Sequence, residues 1–156
     1  MKKGERTMNI GYVGLGKMGF NMVERLLDKK HDVVVFDKNE EVVKNISDIG
    51  AHPADSLQSL ILALVPPRLI WVMVPHQAVD KVLQELLPFL QKGDTVIDGG
   101  NSPYKESIRR FKELKERGIY FLDVGVSGGP SGARNGACIM VGGGKEISIA
   151  PACSSL

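Results

Sequence analysis

Asn9 to Gly19, N-I-G-Y-V-G-L-G-K-M-G, decides how the rest of the chain is read. A short apolar run, Ile10 to Val13, ends in Gly14, Gly16 and Gly19, and an amphipathic helical pattern follows from Met18 to about Lys30. This is a G-x-G-x-x-G turn placed after a strand and opening a helix. In that setting Gly14 permits the tight turn, Gly16 lets the backbone approach a pyrophosphate, and Gly19 lets the helix pack on the strand. The unpaired N–H groups of the first helical turn then face the phosphates. Gly14, Leu15, Gly16, Lys17, Met18 and Gly19 are therefore the expected cradle of a dinucleotide. Glycine-rich turns are common, so the weight of the pattern comes from its strand, its helix and an acid further on.

That acid is Asp37, 18 residues beyond Gly19, at the end of the β-branched run Asp32 to Phe36. A carboxylate there accepts the adenosine ribose hydroxyls and repels a 2′-phosphate, which puts NAD ahead of NADP. Lys38 next to it is a cation that partly offsets the repulsion.

Strands and helices alternate along the rest of the chain. Asn39 is placed to cap a second helix that stops near Gly50, and Ala51-His52 is a very short strand. Asp55 or Ser56 starts another short helix. Leu69 to Val74, L-I-W-V-M-V, is a continuous apolar run, as expected of a strand covered on both faces. Gln77 to Leu87 is helical, and Thr95 to Ile97 is the next strand, with Asp98-Gly99-Gly100-Asn101 as its outlet. Ser102 and Pro103 read as an N-cap and a first-turn proline of a helix reaching Arg117. Ile119 to Val126 is a strand that opens into Ser127-Gly128-Gly129-Pro130, and Ala137 to Val141 is a last short one. The alternation argues an α/β fold, a Rossmann-like doubly wound and mostly parallel sheet. Its ligand loops begin at Gly14, Asp37, Pro75, Gly99 and Ser127, at one edge. Residues 8–143 form this domain, 1–7 a flexible arm and 144–156 an atypical tail.

Composition narrows the function classes. A net charge of +2 from 20 basic and 18 acidic residues, interspersed, argues against nucleic-acid or membrane-surface binding. Leu57 to Leu64 is apolar, but Pro66, Pro67 and Arg68 break the run before Leu69, well short of the ~20 apolar residues that span a bilayer. Met1 to Thr7 has no apolar stretch behind it and is no signal peptide. The two cysteines, Cys138 and Cys153, have no zinc spacing, so no metal is expected and a reducing, cytoplasmic setting is. Cys138 reads as a core residue, His31 and His52 as solvated loop residues, and His76 as a surface residue ahead of a catalytic one. Gly142 to Lys145 is not a phosphate loop, because Glu146 stands where Ser or Thr is required. Asp98 to Ser102 has the residues of a capped turn. Its two glycines also allow close backbone approach, and its Asn carries an amide that donates and accepts. Ser127-Gly128-Gly129 is either a plain turn or a cradle for an anion or hydroxyl.

Three motifs together, G-L-G-K-M-G at 14–19, D-G-G-N-S at 98–102 and G-V-S-G-G-P-S-G-A at 125–133, resemble decarboxylating 6-phosphogluconate dehydrogenase, within the β-hydroxyacid dehydrogenases. The resemblance covers about Met8 to Gly143. It implies oxidation of 6-phospho-D-gluconate to ribulose 5-phosphate and carbon dioxide, a step of the pentose phosphate pathway. Hydride passes from carbon 3 of the substrate to the nicotinamide. It implies further that Asn101 contacts substrate and nicotinamide, that Ser127, Gly128 and Gly129 hold the sugar acid, and that Val74 and Pro75 lie along the cofactor.

Two departures matter. Asp37-Lys38-Asn39 stands where many members carry Asn-Arg-Thr, which looks like the NAD-preferring subgroup. The helical C-terminal domain of the family, with its catalytic Lys and Glu, has no counterpart, and Gly144 to Leu156 reads as the end of a truncated chain. The expected consequences are a chain that is inactive alone and exposed apolar surface, since members are at least dimeric largely through that domain. Two rivals compete. One is a 3-hydroxyisobutyrate-type dehydrogenase, against which Asp98-Gly99-Gly100-Asn101 and Gly125 argue. The other is a non-catalytic dinucleotide-binding module.

Overall fold

A computed structural model of the chain describes residues 7–144. Residues 1–6 of the expected arm and 145–156 of the expected tail, Cys153 among them, lie outside the described residues.

The elements run β1 (Asn9–Val13), α1 (Lys17–Asp28), β2 (Asp32–Phe36), α2 (Glu40–Ser47), β3 (His52–Pro53), α3 (Leu57–Leu62), β4 (Leu69–Val72), α4 (His76–Leu86), β5 (Thr95–Asp98), α5 (Tyr104–Glu116), β6 (Tyr120–Ser127), α6 (Gly129–Asn135) and β7 (Cys138–Gly143). The seven strands lie in the order β3-β2-β1-β4-β5-β6-β7. Every pair is parallel except β6–β7, which is antiparallel. The sheet is thus doubly wound and mostly parallel, as the alternation of elements predicts. Its order reverses between β1 and β4, and the loops leaving these two strands part to opposite faces there, opening a crevice.

The alternation of side chains along each strand builds one core on each face. Tyr12, Trp71, Ile97 and Leu122 pack with Met22 and Leu26 of α1 on one face. Val13, Ile70, Val72, Val96 and Phe121 pack with α3, α4 and α5 on the other. Each of these side chains is at most 2% exposed, so each contributes roughly 1.5–3 kcal/mol of burial. Tyr12 stacks on Trp71 with ring centroids 6.2 Å apart, and its hydroxyl points to the Met22 sulfur at 3.3 Å. Burial pushes that phenol's pKa well above its ordinary value.

Local chemistry sets the helix starts. The Asn39 side chain accepts from the Glu41 N–H at 3.1 Å. Ser56, rather than Asp55, opens α3, through a reciprocal capping box with Ser59.

The structure corrects several expectations. Ser102 is not a helix cap. The α5 helix begins at Tyr104 with Pro103 at its cap position, and the Ser102 hydroxyl donates to Asp98 instead. The strand in the apolar run Leu69–Val74 ends at Val72; Met73 still donates its N–H to the Val13 carbonyl at 2.7 Å, and Met73 and Val74 then lie against Gly14. The segment after Ser127 is not a plain loop: Gly129–Asn135 winds into α6 despite its two glycines and its proline, packed against α1. Cys138 is exposed rather than in the core, because β7 is the outer, antiparallel edge of the sheet. His31 is buried at 5% exposure, where its Nδ1 accepts from the Met8 N–H at 3.2 Å. His52 is exposed and pairs with Asp32 at 3.0 Å.

Candidate functional site

The glycine turn lies at the reversal point of the sheet. Two hollows adjoin it and a third lies further out. One of 350 Å³ has Gly16 to Gly19 on one side, Met73 and Val74 beneath, and Gly99 to Asn101 with Val126 on the other. A second of 240 Å³ continues past Gly14 to Phe36, Asp37, Lys38, Val74 and Pro75. The two form one groove across the carboxyl ends of β1, β2, β4 and β5. The third and largest, 630 Å³, lies outward of Asp37 between α2 and β3 and has no part of the glycine turn in its wall. The groove, not the largest hollow, is lined by the first turn of α1.

Each glycine of the turn has a distinct physical reason. Gly14 has φ +97°, and a Cβ there would run into the Met73 carbonyl oxygen. A Cβ on Gly19 would run into the Gly14 carbonyl oxygen, so the start of α1 touches the turn backbone to backbone. Gly16 is different: a Cβ there would meet nothing within 4 Å. Its emptiness faces the groove and leaves room for a ligand rather than for the protein. The first turn of α1 contains no acidic residue. Its N–H groups have no intrahelical acceptor, so an anion placed there meets donors and the positive end of the helix dipole. Leu15 is divided between two roles. Its side chain is 3% exposed in the core, and its N–H donates to Asp37 rather than into the groove.

Asp37 sits where the sequence puts it, just past β2. Its Oδ2 accepts from the Leu15 N–H at 2.7 Å and its Oδ1 from the Asn39 N–H at 2.8 Å. The carboxylate therefore ties the glycine turn to the outlet of β2 and is held in one orientation at the groove wall. Each oxygen keeps acceptor capacity for a hydroxyl. Lys38 is exposed beside it.

Across the groove stands Asn101, exposed and with φ +55°, in the left-handed region that non-glycine residues seldom enter. It lines the 350 Å³ hollow and also a 320 Å³ hollow on its far side, walled by Asp123, Gly125 and Met140. The neighbouring glycines make room: a Cβ on Gly99 would come 2.8 Å from the Trp71 indole nitrogen, and one on Gly100 would strike the Val74 carbonyl oxygen.

Sequence reasoning named Asp98 only as part of the loop and missed its burial, its partner Arg110 and, beyond that, Asp80. Asp98 is wholly buried and Arg110 is 2% exposed. Their joint signal was an acid at a strand end and a cation on the inward face of the next helix. Asp80 of α4 completes the cluster, accepting from Arg110 Nε at 2.8 Å. The hydrogen bond from Arg110 holds the Asp80 carboxyl down at about 2 against an opposing effect of burial, with Arg109 assisting. Asp123, on the neighbouring strand, goes the other way: burial raises its pKa.

Ser127, Gly128 and Gly129 are exposed one residue beyond Val126, outside the walls of the groove. They lead into α6, whose Arg134 reaches Asp28 of α1 at 2.7 Å. The helix into which the expected sugar-acid cradle leads is therefore packed on the helix that follows the glycine turn. No group of three or more potential metal ligands exists among the described residues.

This sheet order, with a glycine turn at its reversal point, an open first helical turn and an acid after β2, defines a dinucleotide-binding α/β domain of the oxidoreductase type. The chain matches the family described as the NAD binding domain of 6-phosphogluconate dehydrogenase over residues 9–151, and it belongs to that family. It is 52% identical over 139 residues to YqeC of Bacillus subtilis (strain 168), covering 89% of this chain and 47% of that protein. It is 47% identical over 137 residues to the NAD(+)-dependent, decarboxylating 6-phosphogluconate dehydrogenase of Haloferax volcanii, covering 87% and 45%. Among solved structures, the 6-phosphogluconate dehydrogenase of Plasmodium falciparum, described with NADP+ and with 6-phosphogluconate, superposes with a TM-score of 0.80 at 35% identity, over 88% of this chain and 31% of that one. The 3-hydroxyisobutyrate dehydrogenase of Mycobacterium tuberculosis, with a TM-score of 0.83 at 23% identity, shares the fold. The chain spans less than half the length of each of these relatives. No helix among the described residues is long and apolar enough to cross a membrane.

Proposed function

We propose that this chain is the cofactor-binding part of a decarboxylating 6-phosphogluconate dehydrogenase, with NAD preferred over NADP. The observation that carries the preference is Asp37, whose carboxylate is fixed at the groove wall by the Leu15 and Asn39 N–H groups. In this reading the first turn of α1, from Gly16 to Gly19, takes the pyrophosphate, and Asp37 takes the ribose hydroxyls, with Lys38 beside it. Val74 and Pro75 flank the cofactor. Asn101, together with the Ser127-Gly128-Gly129 segment, takes the hydroxy acid. The bound dinucleotide supplies the hydride acceptor for carbon 3 of the substrate, and the β-keto acid so formed loses carbon dioxide. In this reading the chain's own residues bind and orient, and the catalytic Lys and Glu that the resemblance implies are sought in the part of the relatives that the chain does not span.

Calorimetry on the 156-residue chain tests this. NADH is expected to bind more tightly than NADPH. Asp37→Ala is expected to weaken NADH by about ten-fold, as expected for lost charge-assisted hydrogen bonds, and to narrow the gap to NADPH. No NADH is expected to form from 6-phosphogluconate and NAD. A chain that ignores NADH, or prefers NADPH, would contradict the reading. Heat from NADH but none from 6-phosphogluconate would favour the rival module that binds a dinucleotide without a substrate.

A further inference from the structure

Two charges buried beneath a ligand loop need a reason, because a buried ion pair is weak evidence for stability by itself. Asp98 is 0% and Arg110 is 2% exposed. The Asp98 carboxylate grips the chain on both sides of Asn101. Its Oδ1 accepts from the Gly100 N–H at 2.9 Å, and its Oδ2 accepts from the Ser102 hydroxyl at 2.6 Å. Arg110 Nη1 donates to the Ser102 hydroxyl oxygen at 2.8 Å and to Asp98 Oδ2 at 3.3 Å, and its Nε donates to Asp80. The loop after β5 is thereby bolted to α5 and α4. The one residue left between the bolts is Asn101, in the left-handed conformation with its side of the loop turned to the groove. Such a conformation persists only where its surroundings over-determine it.

We infer that Asp98, Ser102 and Arg110 are positioning residues that hold Asn101 against the nicotinamide half of the groove, an inference that rests on the dinucleotide reading above. The adenosine half, at Asp37 and Pro75, shares no residue with this cluster. Loosening the cluster at Ser102, which leaves the Arg110–Asp80 pair to α4 in place, is therefore expected to reach the nicotinamide end. A cluster that served stability alone would act on both ends equally or on neither.

The test compares NADH with ADP-ribose, which lacks the nicotinamide, on the wild-type chain and on Ser102→Ala, Ser102→Thr and Asp98→Asn. Affinities come from calorimetry, and NADH binding is read a second way by energy transfer from Trp71, the only tryptophan. In the wild type NADH is expected to bind more tightly than ADP-ribose. Ser102→Ala should weaken NADH by about ten-fold, as expected for loss of a hydrogen bond to a charged group, and leave ADP-ribose within about two-fold. Ser102→Thr, which keeps the hydroxyl, should restore the NADH advantage. If Ser102→Ala fails to fold, Asp98→Asn carries the same comparison. Equal weakening of both ligands, or an unchanged ratio in folded variants, would overturn the positioning role while leaving dinucleotide binding intact. A wild-type chain that binds neither ligand would overturn both.

Discussion

Gly14 and Gly16 are two residues apart and fail in opposite ways when given a side chain. At Gly14 a methyl group meets the Met73 carbonyl with φ at +97°, so the strain falls on the fold. Gly14→Ala should cost of order 1–3 kcal/mol and lower the melting temperature, measured by circular dichroism. Gly16 has φ −64° and ψ −174°, which any residue adopts, and open space where its Cβ would go. Gly16→Ala should keep the wild-type melting temperature and weaken NADH by roughly ten-fold or more, because the methyl occupies the phosphate approach. Equal melting temperatures for the two variants would sink the distinction. At this scale the turn and Asp37 were legible, since spacing alone puts a glycine turn and an acid on neighbouring strand ends. The orientation of Asp37 was not, because it depends on the backbone of Leu15, 22 residues away. Nor was the burial of His31: a histidine in a turn looks solvated until the N–H of Met8 is seen beside it.

The elements under the ligand edge are held by charges, and their response to pH has a definite sign. Asp80 of α4 has its pKa lowered to about 2. Its contribution to stability is complete above the ordinary carboxylate value of 3.8 and disappears as pH falls through about 2. Asp80→Asn should destabilise the chain at neutral pH and flatten its stability loss between those two values, measured by thermal melts across the range. Parallel curves for variant and wild type would contradict the assignment. Asp80 is 43% exposed, so solvent screens the pair and the effect is modest. Helix and strand order was legible from hydrophobic period, and most boundaries fell within two residues. The α6 helix was not, because its G-P-S-G-A-R-N composition is turn-like and its winding depends on packing against α1. The recruitment of Ser102 by Asp98 and Arg110 was equally hidden: a serine before a proline reads as a cap until the buried acid is known.

At the scale of the whole molecule, β7 closes the sheet with an outer edge that pairs no further strand among the described residues. Around it Tyr104, Ile108, Met140 and Val141 are 69%, 50%, 63% and 45% exposed. Apolar side chains gathered beside an open strand edge favour pairing with a second copy. Light scattering should give an average mass that rises with concentration, and Ile108→Lys combined with Met140→Lys should return it to that of a monomer. A monodisperse monomer of the unaltered chain at high concentration would refute this. The glycine turn also decides where laboratory evolution can work. Gly14, Gly19 and Gly100 each face a backbone carbonyl that no rotamer change can move aside. Most coding changes at these three sites will be lost as unfolded protein before any selection on coenzyme begins. Positions 37–39, on the groove rim and at least partly solvent-accessible, carry no such obstruction, so a library aimed at changing coenzyme choice should spend its diversity there.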